Sequence, residues 1–168
     1  MKLSSQEEYG LRCLLQIARR GEGCGLTIPV ISELEGISPT YVAKLMRVLR
    51  RGGFVKSARG QVGGYALARA ADRIVVGEIL AVLGGRIFGP DFCDHHTGVE
   101  HVCANSVDCS IRSLWRTVQL VVDQVLSGTT LKDLIHNEQE MTTWVGNLVK
   151  ISEIQIKPLE HPAAVTSS

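Results

Sequence analysis

Between Thr27 and Leu67 the chain lays down two short helical patterns and then two short strand patterns, with glycine at each junction, and few folds accept that order. Thr27-Ile28-Pro29 opens a helix over Val30 to Leu34, Gly36 breaks it, and Ser38-Pro39 starts the next. Ile31, Leu34 and Ile37 are expected to face one core, and Tyr41, Val42, Leu45, Val48 and Leu49 to form the buried stripe of the second helix. Gly52 and Gly53 stop that helix. Phe54 to Lys56 then reads as a strand, Arg59 to Gly64 as a hairpin turn, and Tyr65 to Leu67 as the return strand. Two helices joined by a tight glycine turn and followed by a hairpin make a winged helix-turn-helix. The expected fold class is therefore mainly α, with a two-stranded wing.

Charge is distributed to match. The net charge of the chain is only +1, yet Ile37 to Arg73 holds eight basic residues against the single acid Asp72, so the remainder carries −6. In a helix-turn-helix the second helix enters the major groove with its N-terminal residues at the base edges. Those residues here are Ser38, Thr40, Tyr41 and Lys44, with Arg47, Arg50 and Arg51 further along for phosphates. Arg59, Gly60 and Gln61 form the wing tip, where Arg59 is expected in a minor groove. A solvated basic helix and an ordinary glycine-rich hairpin are the alternatives to DNA binding.

Flanking segments complete residues 1–85 as an expected DNA-binding domain. Ser5 to Arg20 reads as a first helix with Leu11, Leu14, Leu15 and Ala18 inward, and Ser5 with Glu8 matches a capping box. Ile74 to Leu83 reads as a further helix. Residues 86–110 form a cysteine-rich loop, and 111–135 a long helix followed by a short one. The long helix, Ser110 to Leu126, carries Ile111, Leu114, Val118, Val121, Val122 and Val125 on one stripe, which predicts packing against a second copy of the chain. Residues 136–168 read as an extension, with an amphipathic helix from Glu138 to Ile154 and a polar tail.

Three of the five cysteines, Cys93, Cys103 and Cys109, lie in the loop, separated by nine and then five residues. Three close thiolates suit zinc or an iron–sulfur cluster, and each usually takes four ligands. His95, His96 and His101 offer a fourth nearby. Redox-active thiols without metal, and inert loop cysteines, are the other readings. The N-terminus MKLSSQEEYG has no signal-peptide core and no run reaches the roughly 18 apolar residues of a membrane span. A cytoplasmic location with reduced thiols is the expectation. Cys13 reads as a small core residue, and Cys24, among glycines, as an exposed one.

The run from Ile31 to Leu67, with SELEGISPTYVAKLMRVLRRGGFVKSARGQVGGYAL within it, resembles the winged-helix segment of the Rrf2 family of bacterial regulators. MKLS at the start, the Ile74 to Gly85 helix, the three cysteines before the long helix, and Thr130-Leu131 with Leu134-Ile135 extend the likeness from Met1 to about Ile135. The resemblance implies a homodimer that binds double-stranded operator DNA. It also implies a 2Fe–2S or 4Fe–4S cluster, the former favoured, on Cys93, Cys103 and Cys109. An acidic ligand from the first helix of the partner subunit falls at Glu8, which sets a ligand role against the cap. Two histidine ligands used by family subgroups fall at Arg112 and Arg12, which cannot ligate. The first cysteine gap is longer than in the best-known members, so His95, His96 and His101 stay open.

These readings converge on a transcription repressor, not an enzyme, that senses iron–sulfur status, redox state or nitric oxide. A DNA-binding regulator switched by a disulfide or by zinc is the alternative. An iron–sulfur electron carrier is a third reading, disfavoured by the basic helix and wing.

Overall fold

The computed structural model describes residues 3–21, 23–58, 63–85, 88, 92, 93, 103 and 108–151. Helix α1 spans Ser5–Arg19, α2 Ile28–Glu35, α3 Pro39–Arg51, strand β1 Val55–Ala58, β2 Gly64–Leu67, and α4 Val76–Leu83. Helix α5 (Ser110–Gly128) and α6 (Glu138–Ile151) follow the cysteine loop. This is the expected winged helix, with one-turn 3-10 helices at Ala71–Arg73 and Asp133–Ile135.

The cap of α1 sits one residue earlier than expected. Ser4 accepts the Glu7 N–H, and Glu7 returns a carboxylate oxygen to the Ser4 N–H at 2.8 Å. Both Ser4/Glu7 and Ser5/Glu8 fit the spacing, and packing selects the first. Glu7 is buried against Gly84, where an added Cβ would lie 2.3 Å from the Glu7 carboxyl carbon. The same inward face carries Gly10, Cys13, Leu14, Ile17 and Ala18 at helical spacing, so Glu8 points outward.

Helix α2 starts after Thr27 with Pro29 in its first turn and ends at Gly36, whose φ of 64° is the left-handed conformation glycine adopts without cost. Its core face is Ile31 and Glu35, one turn apart, whereas Leu34, expected inside, is 48% exposed. Ser38 caps α3 by accepting the Tyr41 N–H, and Val42, Leu45, Met46 and Leu49 are buried beneath it. The strands pair antiparallel with Val55 opposite Leu67 and Ala58 opposite Gly64. Leu26 and Tyr65 exchange backbone hydrogen bonds of 2.8 and 2.9 Å, which fastens the wing to the α1–α2 connection.

Helix α4 begins two residues later than expected because Val75 stays extended and bridges Thr130. The bridge returns the chain after α5 to the domain, and Leu131 enters the core fully buried beside Ile74 and Ile79. Helix α5 is 19 residues long, about 28 Å, and packs on α4 and α6. Its apolar residues Ile111 and Leu114 are 60% and 54% exposed.

Candidate nucleic-acid interface and cysteine loop

Successive residues of a helix are about 100° apart, so Thr40, Lys44, Arg47 and Arg51 fall on one stripe of α3, opposite Val42, Leu45, Met46 and Leu49. Burial of the second stripe fixes exposure of the first. All four outward residues are exposed, as are Arg50 and Ser38. Lys44, Arg47, Arg50 and Arg51 form no ion pair among the described residues. This leaves a cationic helix face free to meet phosphate. Tyr41 is only half exposed, because its ring packs edge-on to Tyr9 of α1 with centroids 6.1 Å apart. Ser38 and Tyr41 thus set the position of α3, whatever they also touch.

Not every basic residue of the segment is available in the same way. Arg69 pairs with Glu78 of α4 and lies over the Phe54 ring at 5.4 Å, so it braces the wing's base. Lys56 is exposed on β1. Arg59, Gly60 and Gln61 lie outside the described residues.

Cys93, Cys103 and Cys109 are free thiols of intermediate exposure. Cys109 is the N-cap of α5, where its Sγ accepts the Arg112 N–H at 3.3 Å. As soft donors the three suit an iron–sulfur cluster or zinc. Among the described residues no three His, Cys, Asp or Glu side chains stand close enough together to hold a metal, so the thiols are not gathered into one sphere. His95, His96 and His101 lie outside the described residues.

Glu8 is exposed and, with the cap assigned to Glu7, its carboxylate makes no hydrogen bond or ion pair among the described residues. It borders an apolar cavity of about 240 Å³ lined by Leu3, Leu11, Val76, Leu80, Leu126 and Met141 among others. One turn further along α1, Arg12 pairs with buried Glu35 at 2.6 Å. Cys13 is fully buried, and desolvation, with the Glu35 carboxylate second, pushes its thiol up to about 12. Cys24 is exposed.

Three residues not singled out from the sequence stand at the loop's entrance. Phe88 stacks on Trp115 of α5 (4.9 Å, 11°), and its N–H donates to the Gln119 side chain at 2.8 Å. A glutamine two and a half turns into an apolar-looking helix was the only available sign.

Residues 3–137 match the Rrf2 family, described as iron-dependent transcriptional regulators. The chain belongs to the Rrf2 family. It is 35% identical over 137 residues to protein rrf2 of Nitratidesulfovibrio vulgaris, covering 82% of this chain and 89% of that one. To the HTH-type transcriptional regulator IscR of Escherichia coli it is 31% identical over 139 residues, 83% of each chain. Among solved structures, CymR, the global cysteine regulator of B. subtilis, matches with a TM-score of 0.64 at 33% identity over 80% of this chain and 96% of that one. IscR of T. potens matches with a TM-score of 0.64 at 32% identity, over 80% and 86%. This Rrf2 chain is accordingly a winged-helix transcriptional regulator: the sequence pattern implied the winged helix, and the family resemblance implied the regulator. Among the described residues no helix is long and apolar enough to cross a membrane.

Proposed function

We propose that this Rrf2 regulator is a cytoplasmic homodimeric repressor of operator DNA, controlled by an iron–sulfur cluster on Cys93, Cys103 and Cys109 with Glu8 of the partner subunit. The observation that carries the DNA part is the unpaired cationic stripe of α3 opposite its buried stripe. Ser38, Thr40, Tyr41 and Lys44 then meet base edges, Arg47, Arg50 and Arg51 meet phosphates, and Arg59, Gly60 and Gln61 enter from the wing. Residues 1–85 are the DNA-binding part, 86–110 the sensor, 111–135 the dimer contact and 136–168 an extension.

Support for the sensor comes from three free, half-exposed thiols, one of them, Cys109, at the foot of α5, and from a Glu8 carboxylate released from capping by Glu7. A bound cluster, 2Fe–2S in preference to 4Fe–4S, supplies a group whose charge and ligation respond to oxidants, nitric oxide and iron supply. With Glu8 of the partner subunit joined to the three thiolates, α1 of one subunit is tied to α5 of the other. That tie sets the spacing of the two α3 helices, which must match half-sites roughly 34–36 Å apart.

The test is an absorption spectrum with iron, sulfide and zinc analysis on protein purified without oxygen, beside Cys103→Ala and Glu8→Ala. Visible charge-transfer bands with matching iron and sulfide, lost in the cysteine variant and shifted in the glutamate variant, are expected. A colourless protein supplied with iron and sulfide would refute the cluster and leave a disulfide or zinc switch. That second reading draws on Cys93, Cys103 and Cys109 being free, partly exposed thiols. A mobility shift with the protein's own promoter tests DNA binding by itself.

A further inference from the structure

On α5 the single buried residue is polar: Gln119, 7% exposed, on a helix whose Ile111, Leu114 and Leu120 face outward. A buried amide is stable only when both its ends are bonded. Here Oε1 accepts the backbone N–H of Phe88 at 2.8 Å, and Nε2 donates to Asp123 Oδ1 at 2.7 Å. One turn before Gln119, Trp115 receives the Phe88 ring in a near-parallel stack, and Phe92 packs edge-on to Phe88 at 5.2 Å. Residue 88 is thus held at both its backbone and its side chain, across one turn of α5. Cys93 follows Phe92 directly.

We infer that Phe88, Trp115 and Gln119 are positioning residues that keep Cys93 within reach of Cys109. Cys109 caps the same helix, ten residues before Gln119, so the anchor lies about 15 Å along a rigid axis from the third thiol. Five residues from Phe88 to Cys93 span at most about 18 Å. Cys93 is therefore able to reach back to the foot of α5 but has little slack beyond it. With the anchor undone, the nearest upstream described residue is Gly85 at the end of α4, eight residues and up to about 28 Å away. A shorter tether concentrates one thiol near the other, and pre-organisation of this kind lowers the ordering cost of any shared ligand. This rests on the reading of Cys93 as a ligand of the cluster, but the anchor itself is a property of the cluster-free chain.

The experiment uses reduced, cluster-free full-length protein and measures alkylation by iodoacetamide cysteine by cysteine, by peptide mass spectrometry. In Trp115→Ala and Gln119→Leu, Cys93 should react several-fold faster relative to the exposed Cys24 in the same sample, while the Cys109 to Cys24 ratio stays near wild type. An unchanged Cys93 ratio in both variants, with helical content retained, overturns the proposal. Hydrogen exchange in the wild-type protein gives a second arm that needs no variant. A Phe88 amide slowed well below the rate of an unprotected amide supports the anchor, and one exchanging at the unprotected rate refutes it. Failure of the cluster reading is separately visible, because a wild-type chain that takes up no iron or sulfide leaves both the alkylation ratio and the exchange rate as they were.

Discussion

Arg12 Nε lies 2.6 Å from Glu35 Oε2, joining the outer face of α1 to a carboxylate of α2 whose side chain is only 3% exposed. Gln16 donates to the other Glu35 oxygen at 2.6 Å, and the Arg12 guanidinium lies over the Tyr9 ring at 5.2 Å. Tyr9 in turn meets Tyr41 of α3. One arginine thus braces both helices of the DNA-binding pair. Arg12→Ala should cost about 1–3 kcal/mol in a urea titration, below the cost of breaking a fully buried pair because Arg12 is itself partly solvated. Glu35→Gln should cost less, since a neutral amide is cheaper to bury. Equal midpoints for wild type and Arg12→Ala would show that the pair stabilises nothing.

Gly64 is where the wing meets the α1–α2 connection. Its φ is +153°, and a Cβ there would lie 2.4 Å from the Leu26 carbonyl oxygen, against backbone that is itself hydrogen-bonded to Tyr65. Neither neighbour is a flexible side chain, so the contact is relieved only by moving the strand. Gly64→Ala is expected to lose about 1–3 kcal/mol and to speed hydrogen exchange at Leu26 and Tyr65. A thermal melt and exchange pattern matching wild type would refute this.

The Cys13 thiol, pushed up to about 12 by burial, gives a signed dependence on pH. The unfolded chain binds its thiol proton only up to about pH 8.5–9, whereas the folded chain keeps it to about 12. Its contribution to stability is therefore complete below pH 8.5 and falls as pH rises from there towards 12. Compared at each pH, the wild type's stability advantage over Cys13→Ala should shrink across that window, and a constant difference would refute the assignment. At pH 8, iodoacetamide should label Cys24 and spare Cys13.

Salt dependence separates the two kinds of basic residue in the segment. Lys44 and Arg47 are exposed on the outward stripe of α3, whereas Arg69 is engaged with Glu78 and Phe54. Lys44→Ala and Arg47→Ala should each lower the slope of log affinity against log salt by about one, the signature of one lost phosphate contact. Arg69→Ala should leave the slope alone while lowering stability. A slope unchanged in both α3 variants would remove α3 from the interface.

Local rules read the winged helix well because each of its turns is written in backbone chemistry. Gly36 needs a left-handed conformation, Ser38-Pro39 starts a helix by capping, and Gly52-Gly53 ends one, so no distant contact is required to place them. Distant contacts decided the rest. The α1 cap moved from Ser5 to Ser4 because Glu7 fits against Gly84, and Leu34 stayed outside because Glu35 took the inward place beside Arg12. The late start of α4 follows from Val75 pairing with Thr130, 55 positions later, which no helical period foretells. At the sensor, sequence spacing named the three cysteines, but the anchor at Phe88 depends on a backbone N–H meeting a side chain 31 residues away.

Helix α5 carries the last expectation, because the N-terminal part of its apolar stripe is exposed while the valines further along are partly buried. Ile111 and Leu114 are 60% and 54% exposed, three residues apart on one face. Fully burying such a side chain contributes roughly 1.5–3 kcal/mol, and a two-fold interface uses each position twice. Two charges introduced there, Ile111→Glu with Leu114→Glu, touch no core residue and should leave the monomer folded. Sedimentation should give a dimer for the wild type and a monomer for the double variant. The wild-type melting temperature should rise with protein concentration, and that of the variant should not. A wild-type protein that sediments as a monomer, or a double variant that stays dimeric, would move the subunit contact away from this stripe. The α3 helices would then need another device to hold their spacing.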